Sequence, residues 1–176
     1  MSSNSSIDNV PKPTSRPVGE RAELVGSTVP EPPFPIRIQG QVEKGFGRGS
    51  KDLGCPTANL PSQNALKPGL EKNGIYFGLA KVNGTAVKEM VMSVGYCPVY
   101  GNTSRSVEIH VLHDFGRDFY GENLRAIVLG YIRPEYNYTS KDALISDIET
   151  DKKVAKNSMA REGYQVFAQD EFFNDD

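Results

Sequence analysis

Residues 106–111 read Ser106-Val107-Glu108-Ile109-His110-Val111. On an extended chain Val107, Ile109 and Val111 fall on one side, and Ser106, Glu108 and His110 on the other. That period of two predicts a strand with one buried face. A carboxylate in the middle of such a run has two readings. Glu108 either stands on a wet strand face, or it faces a pocket and accepts a proton from a hydroxyl nucleophile.

The same period recurs on both sides. Ile36, Ile38, Gly40 and Val42 alternate with Arg37, Gln39, Gln41 and Glu43. Residues 75–82 and 87–94 form two further strand candidates, joined through Asn83-Gly84, a strong short hairpin signal. Residues 125–132 read as another strand, almost without polar interruption, stopped by Pro134. Thr139-x-x-Asp142 then resembles a capping box. Leu144, Ile148 and Ala155 fall near one helical face, with Ser146, Asp147, Glu149 and Lys153 largely off it, which predicts a helix over 140–157. Tyr164, Phe167, Phe172 and Phe173 predict partial docking of the tail, ahead of a fraying acidic end. Strands at short intervals, one hairpin, one late helix and no β-α-β alternation predict a mainly β, mostly antiparallel closed sheet.

The 176 residues suit one domain. Residues 1–33 hold half of the prolines, several serines and no sustained apolar periodicity. They are expected to be a flexible extension, dispensable to a core built from residues 34–176. With 22 acidic residues against 20 basic ones there is no basic surplus, which argues against a nucleic-acid partner. No apolar run approaches the roughly 20 residues of a membrane span, and the chain opens on no apolar signal core. The expectation is a monomeric cytoplasmic protein, with Cys55 and Cys97 as reduced thiols lacking metal-type spacing.

Candidate chemistry gathers upstream of the Glu108 strand. Gly45-Phe46-Gly47-Arg48-Gly49-Ser50-Lys51 supplies a cationic, glycine-rich backbone suited to phosphate, and Pro56-Thr57-Ala58-Asn59 follows closely. The Thr57 hydroxyl and Asn59 amide oxygen, two residues apart on an extended segment, share a face. Phosphates, a hard divalent cation and oxygen ligands belong together, so the pair reads as a metal–nucleotide site. It is neither a Walker A loop nor a protein-kinase glycine loop, because position 50 is Ser50. His110 and His113 do not form a zinc pair on a strand, where i and i+3 point apart. Two loops carry aromatics beside charges and glycines: residues 114–122, and Arg133-Pro134-Glu135-Tyr136-Asn137-Tyr138. Such rings either stack on a planar ligand or pin the loop to the barrel.

Taken together these residues resemble riboflavin kinase (flavokinase). The matching pieces are GFGRGSKDLGCPTANLP at 45–61, NGIYFG at 73–78, SVEIHVLHDFGRDFYGE at 106–122 and GYIRPE at 130–135. The similarity spans about residues 36–157. It implies a six-stranded antiparallel Greek-key barrel with a C-terminal α-helix. It also implies transfer of the γ-phosphate of ATP to the ribityl 5′-hydroxyl of riboflavin, giving FMN. Residue by residue, Thr57 and Asn59 would bind the metal, Mg2+ or Zn2+, and the ATP phosphates. Gly45, Gly47, Arg48, Gly49 and Lys51 would form the nucleotide side, lined further by Val111, His113 and Tyr120. Arg133, Tyr136 and Asn137 would belong to the flavin side, and Glu108 would be the catalytic base. Bacterial relatives carry an added adenylyltransferase domain, for which 176 residues leave no room, so the expected product is FMN. The competing class is a non-catalytic flavin-binding β-barrel, which would need neither metal ligands nor a base.

Overall fold

A computed structural model of the protein describes residues 13–44, 57–96 and 104–175. Among the described residues, eight strands run in chain order: β1 (Thr14–Ser15), β2 (Ile36–Gln41), β3 (Ala58–Leu60), β4 (Gly74–Val82), β5 (Lys88–Tyr96), β6 (Arg105–Val111), β7 (Asn123–Arg133) and β8 (Tyr136–Asn137). Two α-helices follow, α1 (Lys141–Met159) and α2 (Glu162–Gln165). Strands β2 to β7 form one antiparallel sheet in the order β2-β7-β4-β5-β6-β3. An antiparallel bridge between Glu43 and Asn59, with the Glu43 amide donating to the Asn59 carbonyl at 2.7 Å, brings the two edges together. This is the six-stranded antiparallel barrel with a C-terminal helix that the resemblance implied. The Asn83-Gly84 hairpin also forms, with the Thr85 amide donating to the Val82 carbonyl.

The alternation in sequence sorts side chains between two apolar clusters. Ile36, Ile38, Val107, Ile109 and Val111 point into the barrel with Met90 and Met92. Phe77, Leu79, Ile127 and Leu129 point outward and are covered by Ala155, Met159, Tyr164 and Phe173. Strand β7 is therefore buried on both faces, which explains its nearly unbroken apolar run.

Helix α1 departs from the expectation in two ways. Its N-cap is Ser140, whose hydroxyl accepts from the Ala143 amide at 3.1 Å, so the Thr139–Asp142 capping box is displaced by one residue. Its buried face includes two carboxylates, Asp147 and Asp151, alongside Val154, Ala155, Ser158 and Met159. A face carrying two acids cannot be found by apolar periodicity, and its partners come from distant parts of the chain.

Residues 13–33, part of the expected flexible extension, contact the rest of the chain. Arg16 and Arg21 reach Asp147 and Asp151 on α1. Further along, Arg161 donates to the carbonyls of Val25, Gly26 and Ser27. Charge pairing and backbone capping hold this arm, and neither depends on the apolar period that was sought. The tail docks through buried Tyr164 and Phe173, while Asp170 pairs with Arg37 and Asp175 with Lys81.

Candidate active site

The β3–β6–β5 part of the barrel wall carries the candidate chemistry on its outer face. Inward positions are taken by Ala58 and Leu60 on β3, and by Val107, Ile109 and Val111 on β6. Period two then turns Asn59 and Glu108 outward. The register makes Asn59 the direct partner of Glu108, and Glu108 in turn the partner of Ser93 on β5. Directly opposed residues keep their Cβ atoms about 5 Å apart, so the amide, carboxylate and hydroxyl form one row across three strands. Thr57 precedes β3 by one residue and is half-buried. Glu108 is also half-buried, and burial pushes its carboxyl above the ordinary value. A carboxyl raised by burial is a stronger base than a fully hydrated one, which suits a general base.

A second carboxylate approaches this row. Glu135 packs its side chain over Gly95, two residues along β5 from Ser93. A Cβ at Gly95 would lie 2.1 Å from Glu135 Oε1, so this packing requires the glycine. Burial raises the Glu135 carboxyl, and the Glu108 charge adds to the rise while Arg133 and Arg105 oppose it. The Glu108 charge therefore reaches Glu135, as a smaller contribution than burial. Glu135 was quoted within the GYIRPE stretch but assigned no role. Its proximity depends on the chain after Pro134 folding back over β5.

Arg105, at the start of β6, is a structural neighbour of the site. Its guanidinium donates to Asn73 Oδ1 at 2.8 Å and to the Ala65 and Leu70 carbonyls at 3.2 and 2.6 Å. The Tyr131 hydroxyl donates to the Asn73 carbonyl at 2.9 Å. Together they fix the turn that leads into Gly74. There φ is +147°, and a Cβ would meet the Arg133 carbonyl at 2.2 Å.

The remaining sequence candidates separate. Val111 is 7 % exposed and belongs to the barrel core, so its side chain lies on the face opposite Glu108. His113 and Tyr120 are exposed on the following loop. Phe115 and Phe119 stack edge-to-face at 5.1 Å and pack against the core, pinning that loop to the barrel. Gly45, Gly47, Arg48, Gly49 and Lys51 lie outside the described residues, as do Cys55 and Cys97.

On the expected flavin side, Arg133 is 7 % exposed and already committed. Its guanidinium makes a two-point pair with Asp151, Nε to Oδ1 at 2.9 Å and Nη2 to Oδ2 at 2.8 Å. The rings of Tyr136 and Tyr138 sit 5.5 and 5.8 Å from it. The Tyr138 hydroxyl donates to Asp147 Oδ2 at 2.6 Å. Asn137 is exposed and its amide donates to the Pro13 carbonyl at 2.8 Å. A cavity of about 270 Å³ lined by Val25, Phe34, Phe77, Tyr131 and Tyr164 lies elsewhere and includes none of the row around Glu108.

The donors on this wall suit a hard cation. Thr57 and Asn59 offer neutral oxygens, leaving charge neutralisation to substrate phosphates, as magnesium sites commonly do. Among the described residues no three His, Cys, Asp or Glu side chains gather as a metal cluster, and zinc favours nitrogen and sulfur donors.

The antiparallel barrel with a C-terminal helix is the fold that the resemblance to a small-molecule kinase implied. Residues 32–159 match the flavokinase family model, described as riboflavin kinase, and the chain belongs to this family. It is 42 % identical to a riboflavin kinase from Chaetomium globosum, covering 82 % of this chain and 80 % of that one. It is 43 % identical to a riboflavin kinase from Pyricularia oryzae, covering 82 % and 81 %. Among solved structures, riboflavin kinase from Trypanosoma brucei superposes with a TM-score of 0.61 at 26 % identity, covering 78 % of this chain and 84 % of that one.

Proposed function

We propose that this chain transfers the γ-phosphoryl group of ATP to the ribityl 5′-hydroxyl of riboflavin, giving FMN and ADP, with Glu108 as the base. Membership of the riboflavin kinase family supports the overall reaction, phosphorylation of riboflavin to FMN. The single observation that supports the finer assignment is the register row Asn59–Glu108–Ser93, with a carboxyl raised by burial at its centre.

The division of labour follows from phosphoryl-transfer chemistry. A loose transition state needs positioning and charge stabilisation more than covalent help. Thr57 and Asn59 would hold a divalent cation, which would supply charge neutralisation for the ATP phosphates. The glycine-rich stretch containing Gly45, Gly47, Arg48, Gly49 and Lys51 cradles the same phosphates. His113 and Tyr120 flank the nucleotide, and Val111 contributes through its main chain. The hydroxyl of riboflavin meets Glu108, whose carboxylate takes the proton as the oxygen–phosphorus bond forms. Tyr136 and Asn137 belong to the loop that flanks the flavin, and Arg133 acts on that loop through the two tyrosine rings it holds.

Incubation with ATP, magnesium and riboflavin, followed by chromatographic detection of FMN, tests the reaction. Stoichiometric ADP and FMN are expected. Riboflavin binding without FMN formation would overturn the kinase reading in favour of a non-catalytic flavin-binding barrel.

A further inference from the structure

The flavin-side loop is built partly from the N-terminal arm. Strand β1 pairs in parallel with β8, Thr14 opposite Tyr136 and Ser15 opposite Asn137. The Asn137 amide donates to the Pro13 carbonyl, adding a side-chain tie to the same edge. This edge follows directly on Glu135, whose side chain covers Gly95 beside the Glu108 row. The arm is thus one strand removed from the candidate chemistry.

A second route joins the same two segments through side chains. The Arg16 guanidinium donates to Asp147 Oδ1 at 2.9 Å and Oδ2 at 3.0 Å. Asp147 also accepts from the Tyr138 hydroxyl. Arg21 donates to Asp151 Oδ1 at 2.7 Å and to the Asp147 carbonyl at 3.0 Å. Asp151 in turn holds Arg133, against which Tyr136 and Tyr138 rest. Two buried carboxylates on α1 therefore have arginines from the arm on one side, and Arg133 and Tyr138 on the other. Burial alone would raise Asp147, but Tyr138, Arg16, Arg21 and Arg133 outweigh it and hold that carboxyl below its ordinary value. The carboxylate thus stays charged at neutral pH and keeps both partners.

We propose that residues 13–21 form part of the flavin half of the site, with Arg16 as a positioning residue that fixes the 134–138 loop through Asp147 and Tyr138. This rests on the reading that the loop flanks riboflavin. The arm restricts the loop to one arrangement before the substrate arrives. Preorganisation of that kind strengthens binding without any direct contact to the ligand. Among the described residues, β3 on the nucleotide half receives no such tie from the arm.

The test compares wild type with Arg16→Ala, Arg16→Lys and a chain lacking residues 1–15. Glu23→Ala serves as control, removing an exposed pair with Lys153 on the same arm. Riboflavin affinity is read by quenching of its fluorescence without ATP, and KM is measured for both substrates. Arg16→Ala is expected to raise the riboflavin Kd and KM by roughly three- to tenfold, as expected for loss of one charge-assisted contact. The KM for ATP should stay within about twofold. Arg16→Lys should recover part of the loss, and Glu23→Ala should match wild type. Deleting residues 1–15 removes the β1 pairing while keeping Arg16 and should raise the riboflavin values alone. Amide exchange at Tyr136 and Tyr138 should quicken in both the Arg16→Ala and deleted proteins. An unchanged riboflavin Kd in both, or equal loss for riboflavin and ATP, would overturn the proposal. A wild-type chain that makes no FMN would instead remove the kinase reading on which it rests.

Discussion

Asn59 and Glu108 are direct cross-strand partners on the outer wall of the barrel, one from the short strand β3 and the other from the centre of β6. The pairing places a neutral amide oxygen opposite a carboxylate. The sequence separates them by 49 positions, and neither has the other as a local neighbour. In the proposed reaction a metal-bound phosphate and the attacking hydroxyl would meet across this pair, each strand supplying one half of the chemistry.

Glu108→Gln should preserve the barrel and both substrates while removing most of the turnover. The amide is nearly isosteric but cannot accept the ribityl proton. A positioned base contributes roughly 10²–10⁴ in rate, and a late proton transfer places the loss nearer the lower end. Single-turnover FMN formation with saturating ATP and magnesium is the measurement. A variant within about threefold of wild type, with binding intact, would leave Glu108 as a solvated strand residue.

Thr57→Ala and Asn59→Ala should each raise the magnesium concentration needed for half-maximal rate, by roughly tenfold, while riboflavin binding changes little. Thr57→Ser should be milder because the hydroxyl remains. The rate as a function of magnesium, set beside flavin quenching, separates the two halves of the site. Wild-type metal dependence in both alanine variants would refute the ligand assignment.

The two buried glutamates predict a pH response. Burial raises both carboxyls, and the Glu108 charge adds to the rise at Glu135. Glu108 must be ionised to act, so the acid limb of kcat/KM should lie above the ordinary carboxylate value of 4.5. Glu135→Gln removes the neighbouring charge and should move that limb to lower pH, by up to about one unit. Stability has its own sign. A carboxyl with a raised folded-state value favours the folded protein fully below its unfolded value, and loses that favour as pH rises through the folded one. Glu135→Gln should therefore raise Tm relative to wild type at pH 7 and change it little at pH 4. An acid limb that stays in place would show that the two groups do not interact.

Arg133→Ala breaks a buried two-point pair and leaves Asp151 with the arm's Arg21 as its remaining ion pair among the described residues. Removing one partner of such a pair typically costs about 3–5 kcal/mol. Urea unfolding should report a loss of that order. Riboflavin KM should rise as well, since Tyr136 and Tyr138 lose the cation between them. Unchanged unfolding midpoints would mean that the guanidinium is not needed to satisfy Asp151.

Much of the fold was legible because its signal is local. Alternation at Ile36–Val42 and Val107–Val111, the Asn83-Gly84 turn and the late helix each depend on residues close in sequence. The same reasoning put Glu108 on the face opposite Val107, Ile109 and Val111, and Thr57 and Asn59 on one shared face. Strand β3 was harder, since three residues carry too few alternations to be recognised beyond the extended run holding Thr57 and Asn59. The sequence by itself thus determined the strand pattern, the family and the chemical types at the site, because period, turn chemistry and motif order are properties of neighbouring residues. Only the tertiary structure decided that Asn59 faces Glu108, that Glu135 folds over Gly95, and that the two acids on α1 are buried. It also decided that Arg16 and Arg21 complete those acids from more than a hundred residues away. Such pairings depend on register, chain reversal and charge satisfied at long range, and no hydrophobic period records them.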